Sequence, residues 1–207
     1  MMKKFRSFFL RSISATTLAL LAAMAAFAET PQEYVAKAEK AFDESDIVSA
    51  MSYYRKAAEA GYAPAQTRLA YLLDKSEENE EAVIWYQKAV AQGDAEAEHG
   101  LAGMYVSADG IAKDSAEALR LFRSSASKGY PPAIHVMATA YEKGELGLRI
   151  DYELAREWLH KGIQLNDYWS IKRLAQAYGN GELGLRIDRQ KAAQLEQQLE
   201  RLKKDSD

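Results

Sequence analysis

Residues 144–151 read GELGLRID, and residues 181–188 read the same eight letters thirty-seven positions later. An identity of this length at a fixed offset indicates internal duplication, and a period of about 20–50 residues is typical of solenoids and other repeat arrays. Repeat arrays act through extended surfaces rather than through a pocket built around reactive groups. The duplication therefore favours a binding protein over an enzyme.

An acidic residue opens each copy of a longer pattern, and alanine follows it at the fourth position. In the first four copies, large apolar residues follow at the seventh and eighth positions and small or aliphatic residues at the eleventh. The offsets 4, 7, 8 and 11 trace one face of an α-helix. An acid at its start is expected to cap free N–H groups. The five acids are Asp46, Glu78, Asp114, Asp151 and Asp188.

A second helix follows the first in every copy. The first helix is predicted to end at residues that tolerate the left-handed conformation, and alanine stands nine positions after each of them, where two helices cross. The ends are Gly61, Gly93, Gly129 and Asn166, and the alanines are Ala70, Ala102, Ala138 and Ala175. The length variation falls in one loop. The pattern predicts helix pairs at about 32–60, 63–92, 95–128, 131–164 and 167–204, the last helix being a polar cap.

These residues resemble the Sel1-like repeat family, a branch of the tetratricopeptide-type α-solenoids. The run from Tyr53 to Ala58, with Gly61, follows the family pattern closely, and the run from Tyr141 to Lys161 follows it with one added loop residue. Ala108 replaces the first loop glycine, and the loop at 74–78 is shortened. The resemblance covers residues 32–204. It implies an all-α fold, a right-handed superhelical α-solenoid of about five antiparallel helix pairs.

The amino terminus has the three parts of a secretion signal. Four basic residues precede an apolar stretch from about residue 13 to 26, and Ala26-Phe27-Ala28 forms an A-x-A cleavage site. The stretch is too short to span a bilayer comfortably, so a retained membrane anchor is the weaker alternative. The sequence predicts a signal peptide at 1–28, cleavage after Ala28, and a periplasmic or secreted protein of a Gram-negative bacterium.

The amino-acid composition limits the classes of partner that the protein can bind. Removing residues 1–28 leaves 23 basic and 30 acidic residues, a formal charge of −7. This balance argues against nonspecific binding to nucleic acid. The chain has no cysteine, so it has neither a lipoprotein anchor nor disulfides. A mature chain of this length can be held together by packing alone.

Several groups of polar residues could indicate a chemical function, and each group also has a structural explanation. The repeated acids stand at helix starts, where capping needs them, which disfavours paired catalytic carboxylates. His99 and His135 share one repeat position, but two histidines are too few for a closed zinc site, and carboxylates such as Glu96 would have to complete it. No metal or cofactor is expected. The acidic run from Glu77 to Glu81 is read as a solvated turn, with contact to a partner's basic patch as the alternative.

The family resemblance implies a concave face lined by the second helix of each pattern, at positions three, six, ten and thirteen after each helix-ending residue. These positions include Pro64, Gly103, Pro132 and Gly179. The predicted partner-binding residues are Thr67, Tyr71, Asp74, Glu96, His99, Val106, His135, Thr139, Glu142, Trp169, Lys172 and Gln176. Such a mixed groove suits a segment of another protein.

Three functions are compatible with this reading. The first is a non-enzymatic periplasmic adaptor or regulator that binds an envelope protein. The second is an immunity protein that neutralises a secreted antibacterial effector such as a lipase. The third, an enzyme acting on the cell wall, is disfavoured because the sequence contains no G-x-S-x-G or H-E-x-x-H motif and no cysteine nucleophile.

Overall fold

The computed structural model describes residues 29–204, and its regular structure in that range is entirely helical. The predicted signal peptide, residues 1–28, lies outside the described residues. Ten helices form five consecutive pairs within residues 29–204, and the predicted all-α solenoid is confirmed. The helices are α1 (Pro31–Asp43), α2 (Ile47–Glu59), α3 (Ala63–Lys75), α4 (Asn79–Val90), α5 (Ala95–Ser107), α6 (Ser115–Ser127), α7 (Pro131–Lys143), α8 (Tyr152–Gln164), α9 (Tyr168–Asn180) and α10 (Arg189–Lys204).

Aspartates cap the first helix of most repeats, as the sequence predicts. Asp114 and Asp151 each accept two backbone N–H bonds of the following turn, and Asp46 accepts one from Ser49 at 3.0 Å. Glu78 is an exception, because its side chain accepts no capping bond although it occupies the N-cap of α4. The capping prediction is wrong at that residue. The shorter aspartate side chain reaches the first-turn N–H groups, whereas glutamate is not among the preferred capping residues.

Helices α2, α4, α6 and α8 end two or three residues before the left-handed residues that the sequence pattern selects. Gly61, Gly93 and Gly129 have φ angles of 87°, 83° and 88°, and Asn166 has a φ of 56°. Glycine adopts this left-handed conformation without the steric cost that a Cβ brings, and asparagine tolerates it. The chain therefore reverses at the same point in each repeat.

The duplicated octapeptide forms the same turn twice. Gly144 and Gly181 have φ angles of 72° and 75°, and Leu146 and Leu183 both have a φ of 54°. Each turn folds back towards the helix pair before it. In the second copy, Leu183 is buried and its carbonyl accepts a bond from Arg156 at 2.5 Å. The repeated glycines therefore build a turn between helices.

Small residues let neighbouring helices approach closely. Ala70, Ala102, Ala138 and Ala175 are all buried, as expected for helix crossings. The crossing of α8 and α9 is closer still, since a Cβ added at Gly162 would lie 2.0 Å from the Oγ of Ser170.

The stack ends in a largely polar helix. The buried residues of α10 are Ala192 and Leu199, while most of its surface is exposed. A polar outer face is what a terminal repeat needs, because no further repeat covers it. None of the helices described between residues 29 and 204 combines the length and the apolar character needed to cross a bilayer.

Candidate binding surface

Helices α3, α5, α7 and α9 are the second helices of the sequence pattern, and we call them the inner helices. Alongside the contacts between consecutive helices, α3 contacts α5, the equivalent helix of the next pair. In a curved stack the helices on the inner side lie closest together, so this contact favours the concave side for the inner helices. We call the solvent-facing surface of these inner helices, on the concave side of the stack, the groove.

The first half of the groove is built by α3 and α5. Tyr71 is 42% exposed, and the Nζ of Lys75 lies 5.5 Å from the centre of its ring. Arg68 of α3 reaches Glu96 of α5, with an N–O distance of 3.5 Å. This pair is largely exposed and contributes little stability by itself. It does orient two charged side chains next to an exposed aromatic ring.

His99 lies deeper than the sequence prediction implies. Its ring packs edge-on against Phe122 and Tyr130, with both ring centres 5.4 Å away. Burial lowers the pKa of His99 below its ordinary value of 6.5, because the charged imidazolium loses its hydration. The residue is therefore neutral near pH 7 and links α5 to the start of α7 through ring packing.

Acidification is expected to weaken the fold through His99. The unfolded chain takes up the proton near pH 6.5 while the folded chain resists it, so stability is present above that pH and is lost as the pH falls towards the lowered pKa. One proton changes the unfolding free energy by at most about 1.4 kcal/mol per pH unit. Urea unfolding between pH 7.5 and 5.5 measures the slope. His99→Phe keeps an aromatic ring and should flatten it, and equal slopes in the two proteins would contradict this assignment.

The second half of the groove is built by α7 and α9. Arg173 donates to both carboxylate oxygens of Glu142, at 3.1 and 2.5 Å, and also to Glu182 at 2.6 Å. A two-bond guanidinium–carboxylate contact fixes the relative position of the two helices better than a single bond. The ion pair therefore organises this half of the groove before any partner arrives.

An aromatic platform lies beside that ion pair. Trp169 is 58% exposed and packs edge-to-face on Tyr168, with 5.5 Å between ring centres. The Nζ of Lys172 lies 5.2 Å from the Trp169 ring and 5.7 Å from the Tyr168 ring. Large, rigid aromatic side chains with one polar end are the common anchors of protein interfaces. Trp169 is accordingly the strongest anchor candidate on α9.

The structure divides the other predicted residues into accessible and inaccessible ones. Thr67 is only 2% exposed and donates its hydroxyl to the carbonyl of Ala63, so its side chain is not offered to a partner. His135 is exposed while His99 is half-buried. In the part of the chain that the structure describes, no three His, Asp or Glu side chains are grouped to hold a metal ion. The remaining predicted residues are at least partly exposed: Asp74, Val106, Thr139 and Gln176.

Two glycines of α5 have opposite surroundings. A Cβ added at Gly100 would lie 2.5 Å from the ring of Tyr86, so the absence of a side chain admits that ring into the core. A Cβ added at Gly103 would meet no atom within 4 Å. Gly103 occupies the repeat position held by Tyr71 in α3 and Thr139 in α7. Gly103 therefore leaves an unfilled space in the groove between the side chains of Tyr71 and Thr139, and we call this space the floor of the groove.

The sequence prediction omits Arg68 and Arg173, which provide the ion pairs between inner helices. Both stand seven positions after a helix-ending residue, whereas the prediction uses position six. Offsets 3, 7 and 10 also trace one helical face, so a check of that face would have found them. The buried Thr67 stands at position six.

A different depression lies on the outer side, along α6. It has a volume of about 310 Å³ and opens widely to solvent. Its lining residues are Ala116, Leu119, Arg120, Arg123, Ser124 and Ser127. This surface is the natural control for experiments on the groove.

Comparisons with known proteins identify the repeat. The Sel1 repeat profile matches residues 43–62, 63–94, 95–130, 131–167 and 170–195. A protein of Neisseria meningitidis is 28% identical over 129 residues, which cover 62% of this chain and 27% of that protein. This chain therefore spans about a quarter of that relative's length.

Solved structures show the same architecture. A protective antigen present in uropathogenic Escherichia coli strains, which displays an SLR fold, has a TM-score of 0.71 at 30% identity, over 89% of this chain and 41% of that one. A Sel1 repeat protein from Oxalobacter formigenes has a TM-score of 0.75 at 25% identity, over 87% of this chain and 73% of that one. With five repeat matches spread over most of its length, the chain belongs to the Sel1 repeat family.

Proposed function

We propose that this protein is exported to the periplasm and holds a segment of another envelope protein in its groove, as an adaptor or regulator. Sel1 repeats form protein–protein interaction modules that are generally not enzymes. The observation that carries the proposal is the pair of exposed aromatic rings, Tyr71 and Trp169, on inner helices tied by ion pairs. The adaptor role and the periplasmic location are inferences from this surface and from the amino-terminal sequence.

The groove has the properties of a surface prepared for binding. The Arg68–Glu96 pair links α3 to α5, and the Arg173–Glu142 pair links α7 to α9. A partner that meets side chains already held in place loses less conformational entropy on binding. Tyr71 lies on α3 and Trp169 on α9, so two further inner helices, α5 and α7, stand between them. Successive packed helices lie roughly 8–10 Å apart. This reach suits an extended or helical protein segment.

Site-specific cross-linking in the native cell tests the proposal most directly. A photoreactive phenylalanine analogue at Tyr71 or Trp169 should capture one envelope protein from intact cells, and the same analogue at Lys88 or Arg120 should not. Capture only from the outer positions would exclude the groove. A secreted antibacterial effector as the captured protein would instead establish the immunity function, with the same groove in use.

Removal of one aromatic anchor should weaken binding without unfolding the protein. Trp169→Ala or Tyr71→Ala is expected to cost about 1–3 kcal/mol of binding free energy, as interface anchors do. Neither ring is part of the buried core, so helix content measured by circular dichroism should not change. Calorimetric titration with the captured protein gives the affinity. Lys88→Ala is the control, and a larger loss there than at either aromatic residue would reject the anchor assignment.

The export step has its own test. Because the A-x-A site ends at Ala28, amino-terminal sequencing of the protein from the periplasmic fraction should begin at Glu29. Recovery of an intact amino terminus in the soluble cytosolic fraction would reject the location. It would leave the groove itself unaffected.

A further inference from the structure

The five turns within the helix pairs lie along one edge of the solenoid, since the helices alternate in direction. We call this the turn edge, and its turns are residues 44–46, 76–78, 108–114, 144–151 and 181–188. Neighbouring elements touch along it. A Cβ added at Gly110 of the third turn would lie 2.4 Å from the backbone of Asn79, which follows the second turn. The second and third turns are thus in contact.

Exposed apolar side chains gather at the two ends of the turn edge. Eleven large apolar side chains are exposed among the described residues, and six of them lie at these ends. Val48, beside the first turn, is 81% exposed, and Ile150 and Ile187 in the last two turns are 58% and 62% exposed. The other three are Phe42, Ile47 and Tyr152. Exposed apolar residues scattered singly need no explanation, but two groups on one edge do.

The duplicated octapeptide provides the exposed apolar residues Ile150 and Ile187 at one end of the turn edge. Its glycines, leucines and aspartates serve the turn and the cap, so the fold accounts for their identity in the two copies. Ile150 and Ile187 each lie partly over the first glycine of their own turn, but the fold gives no such role to Arg149 and Arg186. All four side chains are exposed, and neither guanidinium forms an ion pair with another residue between 29 and 204. Two equal basic and apolar tips therefore stand side by side.

The two ends of the turn edge differ in charge. The first two turns and their flanks carry exposed carboxylates: Asp43, Glu44, Glu77, Glu78 and Glu80. In the last two turns the carboxylates are mostly engaged, since Glu182 binds Arg173 while Asp151 and Asp188 accept backbone N–H bonds. Glu145 is the exception in those turns. The edge therefore runs from a strongly acidic, apolar end to an apolar end where two exposed arginines stand beside carboxylates that are mostly bonded within the chain.

We propose that two copies of this chain pair along their turn edges, antiparallel about a two-fold axis. The first turn of one copy then meets the fifth turn of the other, and the second turn meets the fourth. Asp43 faces the partner's Arg186, and Glu77 faces the partner's Arg149. The third turn lies on the axis, where Lys113 and Asp109 complement their own copies. A two-fold pairing forms both contacts at once and closes the assembly.

The charge order on the edge selects a second copy over an anionic membrane. The Arg-Ile tips alone would suit acidic lipid, but the carboxylates at the other end of the same edge would be repelled by it, and the mature chain carries a net charge of −7. A reversed copy of the edge brings the exposed arginines of the last two turns to the exposed carboxylates of the first two. The dimer uses the turns, so it leaves the groove open and does not depend on what binds there.

Paired charge reversals test this inference on the protein purified after export. Variant B is Arg149→Glu with Arg186→Glu, and variant A is Asp43→Lys with Glu77→Lys. Each should raise the dimer dissociation constant at least tenfold, because like charges then meet in both contacts. An equimolar mixture should restore dimers, because every contact between variant A and variant B pairs opposite charges. Sedimentation velocity at 50 mM and 500 mM salt measures the association, which should weaken at the higher salt.

The controls keep the result unambiguous. Arg201→Glu with Lys204→Glu changes the charge equally on α10 and should leave the dimer intact. Circular dichroism checks that all variants remain folded. A wild-type protein that stays monomeric throughout the micromolar range would overturn the proposal, as would a mixture that remains monomeric while the wild type dimerises. Flotation of a monomeric wild-type protein with phosphatidylglycerol vesicles would assign the tips to membrane binding instead.

Discussion

Gly162→Ala is expected to lower the free energy of unfolding by about 1–3 kcal/mol, the usual cost of overpacking a core. In an ordinary helix interior the same change stabilises, by roughly 1 kcal/mol. The sign is reversed here because the new methyl group would lie 2.0 Å from the Oγ and 2.6 Å from the Cβ of Ser170. Both atoms belong to a buried side chain on the neighbouring helix.

The other repeats show how this cost can be relieved. The positions equivalent to Gly162 and Ser170 are Ala57 and Ala65 in the first crossing, all of them buried. A larger residue on α9 is thus matched by a smaller residue on α8. Ser170→Ala in the Gly162→Ala background recreates the alanine pair and should recover most of the lost stability. It also removes a buried hydroxyl that has no hydrogen-bond partner.

A double-mutant cycle in urea measures this coupling. Residues in direct contact give interaction energies of about 0.5–3 kcal/mol, whereas independent sites give sums that add. Additive effects, or a Gly162→Ala protein more stable than wild type, would show that the two helices do not cross as closely as described. Ala91→Gly, on an exposed residue after α4, is a suitable control for general glycine and alanine effects.

The fold was predictable because its determinants are local and repeated. Gly61 and Gly93 mark reversals that require a left-handed residue, and Asp114 and Asp151 mark helix starts. These glycines and aspartates recur at fixed offsets in several repeats, so a chance match in one repeat does not change the prediction. Glu78 shows the limit of this reasoning, since the repeat pattern gives its position but not whether its longer side chain reaches back to cap.

Buried polar pairs between helices could not be predicted in the same way. Glu98 is buried and receives bonds from Ser124 at 2.8 Å and Lys128 at 2.9 Å. The same repeat position holds glutamine at 66 and isoleucine at 134 and 171, so the period alone does not decide between a polar and an apolar residue. The partners lie 26 and 30 residues away. Pairs of side chains that far apart in the sequence can be identified only when the packing of the helices is known.

The groove was predicted in part. Tyr71 and Trp169 are exposed on the inner helices as expected, whereas Thr67 is buried and Arg68 takes its place. One residue turns a helix by about 100°, so an error of one position moves a side chain from the groove into the core. The family resemblance supplies the helix but does not fix its rotation to that accuracy. Contacts of the neighbouring helix decide which residue faces outward.

A side chain added at Gly103, in the middle of the groove, should strongly weaken binding. Gly103→Leu places a side chain where no atom lies within 4 Å of the added Cβ. Leucine also favours the helix over glycine by roughly 0.5–1 kcal/mol, so the variant should be at least as stable as wild type. A loss of binding then reports a blocked surface rather than an unfolded protein. We expect the affinity for the captured protein to fall at least tenfold, about 1.4 kcal/mol.

Ala116→Leu is the matched control, because it adds a side chain to the depression along α6 on the outer surface. Calorimetric titration of these two variants shows whether the partner lies in the groove. If it does, the dissociation constant should be at least ten times higher for Gly103→Leu and unchanged for Ala116→Leu. Full affinity in the Gly103→Leu protein together with weakened binding in the Ala116→Leu protein would contradict it.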